Sequence, residues 1–322
     1  MNIVILCAYF QPELGYREYY YARNLAKLGH EVNVITSDRI LFIRDWENIA
    51  KSIGCEVSRY RKIGRSEIDG FMVYRTPVLF EYDRFIVPYG IKKILLNIKP
   101  DVVHIIENGF VFSFPAAIYK KSLNCGLIYE IEFSLTSTHL LRSKEYYEYY
   151  FFKKPIIKYL VRKADRLNIC TDEVSEFFYK HISESKEKIN RMSLGADPDF
   201  FYENYKERQD LRVMMNIADD EVLIVTSGKI ELHKRYDVLI KSISSIKNEY
   251  PKIKFLIIGS GAESAIKNIL DIAQNEGIKE NIILKPFAKR DELRKFYNAS
   301  DIGVWTRATI TILEAMGCGL PV

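Results

Sequence analysis

The chain has 322 residues, 48% of them hydrophobic and 28% charged, a balance that excludes disordered, collagen-like and coiled-coil proteins. That length outgrows one small core and suits two domains of ordinary size. The net charge of +5 is uneven, since residues 1–195 carry 29 Lys+Arg against 23 Asp+Glu and residues 196–322 carry 18 against 19: too little for a nucleic-acid-binding stripe, but compatible with anionic lipid headgroups or a phosphorylated acceptor.

Strand-like sequence begins at once with Asn2-Ile3-Val4-Ile5-Leu6. There is no basic leader or small-residue cleavage site ahead of it, so a cytoplasmic protein is expected. No apolar run approaches the roughly 18–20 residues of a membrane span. In the first half the buried-strand candidates are 2–8, 31–36, 71–75, 102–106, 126–131 and 167–170. Between the first two lies a helix pattern from Tyr16 to Leu28, closed by Gly29 where a left-handed residue is wanted. The stretch 142–166 is dense in Tyr, Phe, Lys and Arg. It reads either as an interfacial helix touching membrane or as an amphipathic helix with its rings inward, and Pro155 interrupts any single long helix. Beyond the loop 193–198, strands at 222–227, 253–258, 281–284 and 301–305 alternate with helices near 234–248, 262–276 and 290–299. Two such βα series predict an α/β protein with two Rossmann-like domains, 1–195 and 196–322. Their parallel sheets would face an interdomain cleft, with ligands at the carboxyl ends of the strands. The five cysteines (7, 55, 125, 170, 318) are an odd, scattered set without a C-x-x-C pair. They read as reduced thiols, and neither they nor the scattered histidines suggest a metal site.

Candidate chemistry sits in the strand-end loops. Gly15, between the first strand and its helix, would let backbone N–H groups approach a phosphate at a helix N-terminus, or would merely supply a turn. The loop is not G-x-G-x-x-G, which counts against a nicotinamide or flavin cofactor. Lys229 and Lys234 follow the strand 222–227 and suit a diphosphate held by charge-assisted bonds, or a solvated basic loop. Gly259, in Gly259-Ser260-Gly261, suits a close ligand approach or an ordinary βα turn. Glu314 is placed at a helix start, where a carboxylate fits the two hydroxyls of a ribose or simply favours the helix.

These motifs occur in one order along the chain: Phe10-Gln11-Pro12 with Gly15, Leu28-Gly29-His30-Glu31-Val32, Pro100-Asp101-Val102-Val103-His104, Ala164-Asp165-Arg166, Gly195-Ala196-Asp197, Gly228-Lys229 with Lys234, and Leu313-Glu314-Ala315-Met316-Gly317-Cys318-Gly319-Leu320-Pro321-Val322. Together they resemble the family 4 glycosyltransferases, with the two-Rossmann GT-B fold, over essentially the whole chain. The resemblance implies transfer of a sugar from a nucleotide-sugar donor to a hydroxyl, with retention at the anomeric carbon and no required metal or cofactor. It places the acceptor, a glycan or lipid-linked hydroxyl, on the N-terminal domain and the nucleotide on the C-terminal one. Peripheral membrane contact through the basic N-terminal domain would suit polysaccharide or glycolipid synthesis.

The resemblance also assigns residues. Gly15 would approach the donor phosphates, with Tyr16 where the family has a second glycine. Lys229 replaces the family's arginine, a point charge in place of a planar fork, and Lys234 matches its lysine. Glu314 matches the second acid of the E-x7-E motif, while Thr306 stands where the first acid is expected. Glu132 takes the place of a common family histidine and is the catalytic candidate, with His139 nearby as another source of imidazole. Glu130 and Glu132 would point to one side of a continuing strand, where they would raise each other's pKa or flank a solvated loop. Thr306 and Glu132 are the departures that favour a non-catalytic nucleotide-sugar or glycan binder as the second reading. Ending at Pro321-Val322, the chain reads as a fragment or shortened form with an incomplete C-terminal domain.

Overall fold

The computed structural model describes residues 1–43, 46–82, 85–106, 109–131, 147, 149–182, 186–231, 234–307 and 309–322. In chain order it contains β1 (Asn2–Leu6), α1 (Arg17–Lys27), β2 (Glu31–Ser37), α2 (Trp46–Ile53), β3 (Gly64–Ile68), β4 (Phe71–Thr76), β5 (Val78–Tyr82), β6 (Phe85–Pro88) and α3 (Ile91–Ile98). There follow β7 (Val102–Ile106), α4 (Phe114–Leu123), β8 (Gly126–Glu130), α5 (Lys154–Lys163), β9 (Arg166–Ile169), α6 (Asp172–His181) and β10 (Ile189–Arg191). The last stretch holds α7 (Tyr205–Met214), β11 (Val222–Ser227), α8 (Tyr236–Ile246), β12 (Ile253–Ile258), α9 (Glu263–Asn275), β13 (Ile282–Lys285), α10 (Arg290–Ala299), β14 (Ile302–Gly303) and α11 (Ile310–Gly317). The chain packs as two units: Met1–Leu41 with Ser58–Ser193, and Phe42–Val57 with Leu194–Val322.

The first unit is built on an eight-stranded sheet ordered β10-β9-β8-β7-β1-β2-β4-β3. All its pairs are parallel except β3 with β4. Central strands of such a sheet are covered on both faces and need apolar residues throughout, which is why β1 reads NIVIL. Val4 and Leu6 point into a core shared with α3, α4, α5 and α6, while Ile5 and Cys7 point into one shared with α1. Asp101 fastens the sheet from below by accepting from the Asn2 backbone N–H at 2.7 Å. Helix α1 ends as its sequence suggests, with Gly29 at φ +82° just past Leu28.

The second unit has a four-stranded parallel sheet ordered β13-β12-β11-β14. Alternation again divides the core. Leu223, Val225, Leu256 and Ile258 meet α7, α10 and α11, while Ile224, Phe255 and Ile257 meet α8 and α9.

Some elements go beyond the sequence reading. The strands β3, β5, β6 and β10 and the helix α2 were not expected, since all are short and several are polar or exposed along one edge. As the sequence reading expected, no long α-helix among the described residues runs through Pro155, since α5 starts one residue before it. The proline lies in the first turn, after a π-helical turn at Tyr149–Lys153, where its missing N–H would have had no helical partner. Residues 142–146 and 148 of that stretch lie outside the described residues. No described helix is long and apolar enough to cross a membrane.

Candidate functional site

In an open parallel sheet, ligands collect where the strand order reverses, at the carboxyl ends of the strands. In the second unit β11 leads outward to β12 and β13 on one side, while β14 returns to its other side. The reversal therefore lies between the ends of β11 and β14. Lys229 and Lys234 follow β11, and Thr306 and Arg307 follow β14.

The two loops are tied together. The Thr306 hydroxyl donates to the Lys234 carbonyl at 2.5 Å, and the Trp305 indole N–H donates to the Ser227 carbonyl at 3.0 Å. Ser227 and Tyr297 share a buried hydroxyl–hydroxyl bond of 2.7 Å. These bonds fix the frame on which the lysines stand. Lys229 is exposed and Lys234 partly buried. Burial pushes the Lys234 ammonium below its usual pKa; Glu231 opposes this, while Arg307 and Lys229 add to it. Lys229 and Arg307, on the loops after β11 and β14, thus stand near enough for their charges to act on Lys234, a repulsion that a bound anion would relieve.

Gly259 is required by backbone packing. A Cβ there would fall 1.8 Å from the Gly228 carbonyl oxygen, and one at Gly261 would fall 2.2 Å from that of Ile230. Backbone packing between the loops after β11 and β12 therefore requires both glycines. The Ile230 N–H donates to the Ser260 carbonyl at 2.8 Å across this seam.

Glu314 lies on α11, directly after the β14 loop, but not at its start. It is the fifth helical residue, and the first turn holds no acid. Only 7% exposed, the side chain forms no hydrogen bond among the described residues. Burial pushes its pKa up to about 7, opposed only by the charge of Arg290. A buried carboxyl in that state awaits donors, and a pair of sugar hydroxyls would supply them. The sequence reading missed Arg290 and Arg307; both stand at the carboxyl side of a strand, the signal that would have flagged them.

In the first unit Gly15 closes a 3-10 turn at φ +63°, and its N–H donates to the Pro12 carbonyl at 3.1 Å. The glycine is thus accounted for by the left-handed turn, and its own amide is already used. Glu130, expected beside Glu132 in a solvated loop or a mutually raised pair, is instead wholly buried at the end of β8. It meets Arg17 Nε at 3.2 Å, His104 Nε2 at 2.8 Å and the Tyr21 hydroxyl at 3.3 Å. Burial opposes its charged form, but the bond from His104 and the charge of Arg17 outweigh that and hold its pKa below the usual value. Glu132 and His139 lie outside the described residues. Among the described residues, no group of three His, Cys, Asp or Glu side chains is placed to hold a metal ion.

Residues 207–322 match the family model of glycosyl transferases group 1. The second unit carries a group 1 glycosyl transferase domain. A D-inositol 3-phosphate glycosyltransferase of Xylanimonas cellulosilytica is 24% identical over 173 residues, 51% of this chain and 41% of that protein. An uncharacterized glycosyltransferase of Methanocaldococcus jannaschii is 24% identical over 317 residues, 94% of this chain and 73% of the other. The chain thus spans about two fifths of the length of the first of these curated relatives. Among solved structures, Anabaena HepE in complex with UDP superimposes with a TM-score of 0.67 at 13% identity, covering 100% of this chain and 79% of that one. WaaG, a glycosyltransferase involved in lipopolysaccharide biosynthesis, gives 0.64 at 17% identity over 99% of this chain and 80% of the other. The fold is GT-B-like, with two parallel sheets, as the resemblance implied.

Proposed function

We propose that this chain is a retaining glycosyltransferase that binds a nucleotide sugar in its second unit and passes the sugar to a hydroxyl acceptor, a glycan or lipid-linked sugar. One observation carries the reading: the loops after β11 and β14, tied by the bond from Thr306 to the Lys234 carbonyl, bring the charges of Lys229 and Arg307 to bear on Lys234, at the strand ends where parallel sheets bind nucleotides. The cations would meet the diphosphate, and the Glu314 carboxylate on the following helix would take the ribose hydroxyls. As the glycosidic bond breaks, negative charge grows on the leaving diphosphate, and fixed cations stabilise it without reorganising. Glu132 completes the proposal as the carboxylate that stabilises positive charge on the sugar. HepE was crystallised with UDP and with UDP-glucose, so UDP is the first probe to use.

Calorimetry with UDP tests the site. Lys234→Ala is expected to weaken UDP by about 1.5–3 kcal/mol, the value of a hydrogen bond to a charged group, or roughly 10- to 150-fold. Unchanged affinity would remove Lys234 from the site. Because three side-chain cations supply the counter-charge, sugar transfer is expected to survive EDTA. Loss of transfer with EDTA, and rescue by Mg²⁺ or Mn²⁺, would overturn that part of the mechanism.

A second reading, a binder that does not turn its nucleotide sugar over, is favoured by Thr306. Its hydroxyl is spent on the Lys234 carbonyl, and it offers no carboxylate beside the sugar. UDP binding with neither transfer nor donor hydrolysis across a panel of nucleotide sugars would select this reading.

A further inference from the structure

At the carboxyl ends of β1, β2 and β4 the first unit builds an anion site and fills it with a side chain of its own. Glu81, on β5, accepts from the Tyr9 hydroxyl at 2.9 Å, from Arg39 Nη1 at 3.0 Å and from Arg59 Nη1 at 3.0 Å. Arg59 Nη2 donates to the second carboxylate oxygen, so that guanidinium grips the group with both prongs. The Glu81 side chain is only 8% exposed. Burial opposes its charged form, but the bonds from Arg59, Tyr9 and Arg39 outweigh that and hold its pKa below the usual value.

The donors belong to the framework of the sheet. Tyr9 follows β1 and Arg39 follows β2. Backbone bonds set the arginines side by side, since the Ile40 N–H donates to the Arg59 carbonyl at 3.1 Å and the Arg61 N–H to that of Asp38 at 2.7 Å. The carboxylate comes from a less supported element. Strands β5 and β6 pair only with each other, an arrangement that is marginal by itself in water. Ile86 and Val78 seat the hairpin on the core, whereas Leu79, Phe80 and Tyr82 are exposed. Further charges surround the clamp. Asp38 lies 3.5 Å from Arg39 Nε, Glu13 lies 4.0 Å from Arg61 Nη2, and Arg75 donates to the Ser37 and Phe10 carbonyls at 3.2 and 3.1 Å. These four arginines stand with three acids, so a positive surplus remains even with Glu81 in place. Gln11 is buried between the loops of Tyr9 and Arg39 and accepts from the Leu41 N–H at 3.3 Å. Its amide nitrogen makes no hydrogen bond among the described residues, a donor left over for a ligand oxygen.

We infer that the clamp of Tyr9, Arg39 and Arg59 is an acceptor subsite for a sugar carboxylate, with Glu81 as the internal stand-in that the acceptor displaces. A planar guanidinium fork matches a carboxylate edge, and exchanging one carboxylate for another leaves the charge of the site unchanged. The inference rests on the proposed transfer to a glycan and narrows that acceptor to an acidic glycan bearing a uronic acid. Being tethered, Glu81 competes at an effective concentration on the order of millimolar, which keeps weak anions out.

Glucuronate tests the subsite, with glucose and glucose 6-phosphate as the other arms at matched ionic strength. In calorimetry, Glu81→Gln is expected to bind glucuronate roughly tenfold or more tighter than the parent does, because the tethered competitor is gone. Adding Arg59→Gln should abolish that gain. Equal affinity of parent and variant, a gain that persists without Arg59, or glucose or glucose 6-phosphate bound as tightly as glucuronate would overturn the proposal. Hydrogen exchange on the parent chain needs no variant. About 100 mM glucuronate, well above the millimolar range of the tether, should speed exchange of the β5 amides several-fold, and glucose should not. Unchanged exchange would make the clamp a fixed structural tie and end the idea. UDP affinity measured on the same proteins separates the two readings: no glucuronate binding beside normal UDP binding strikes the acceptor class alone, whereas lost UDP binding strikes the donor site.

Discussion

Replacing Glu130 by Gln is expected to lower the melting temperature of the first unit by roughly 6–20 °C, corresponding to a loss of about 3–5 kcal/mol. The carboxylate is fully buried, and its partner Arg17 is only 14% exposed. Desolvating both ions has already been offset by their attraction and by the bonds from His104 and Tyr21. Removing one charge while keeping the shape takes from Arg17 the buried carboxylate it meets, and losing one member of a buried ion pair is the costly case. The effect has a pH signature. Glu130 titrates below its ordinary value in the folded chain, so its contribution is present above the unfolded carboxyl pKa and disappears as pH falls through the lower folded one. The gap between parent and variant should be full at neutral pH and close in strong acid. Thermal melts of both proteins from pH 3 to pH 8 check this (a range chosen to span roughly the unfolded carboxyl value). A variant as stable as the parent at pH 7 would mean that the network is energetically idle.

Glu314→Gln should act in the opposite direction on stability. The Glu314 carboxyl is raised by burial from 4.5 to about 7. An unfolded chain therefore releases this proton first, and the folded state loses stability as pH climbs from about 4.5 to about 7. Above that the penalty is constant at about 3 kcal/mol, the free-energy equivalent of such a shift. Glutamine cannot ionise, so the variant should match the parent near pH 4 and exceed it by up to that amount at pH 8.

The same substitution should weaken UDP. Ribose hydroxyls donating to the carboxylate favour its charged form, so binding releases a proton near neutrality. Parent affinity is then expected to rise between pH 6 and pH 8, across the free group's value of about 7. The ligand's own phosphate titration is common to both proteins and cancels in the comparison, leaving the variant's profile flatter. A residue kept at a cost to stability and needed for affinity is what a binding site requires. Equal melting curves at pH 8 would contradict the burial argument, and equal UDP profiles would remove Glu314 from the site.

The legibility of these features in the sequence follows from their physics. Parallel strands buried on both faces announce themselves as short apolar runs, so β1, β2, β7, β11 and β12 are readable without coordinates. Edge and hairpin strands such as β3, reading GRSEI, carry no such run, because one side faces water and pairing is decided by the neighbour. Pro155 is legible for a local reason: a proline cannot donate to the preceding turn, so the α-helix starts beside it, at Lys154. Gly259 and Gly261 serve a contact that the sequence does not show. Their missing Cβ atoms make room for Gly228 and Ile230, a contact between segments some thirty residues apart.

What the sequence by itself determined was the alternation that requires two parallel sheets and the order of motifs that points to this family. It also placed Lys229, Lys234 and Glu314 after strand ends, since all of these depend on local pattern and spacing. Only the tertiary structure decided which charges meet. It put Arg307 and Arg290 beside the expected groups, sank Glu130 into a network with Arg17 and His104, and grouped residues 42–57 with the second unit. Charge and burial are properties of neighbours in space, and residues distant in sequence become neighbours only when the sheet order sets them side by side.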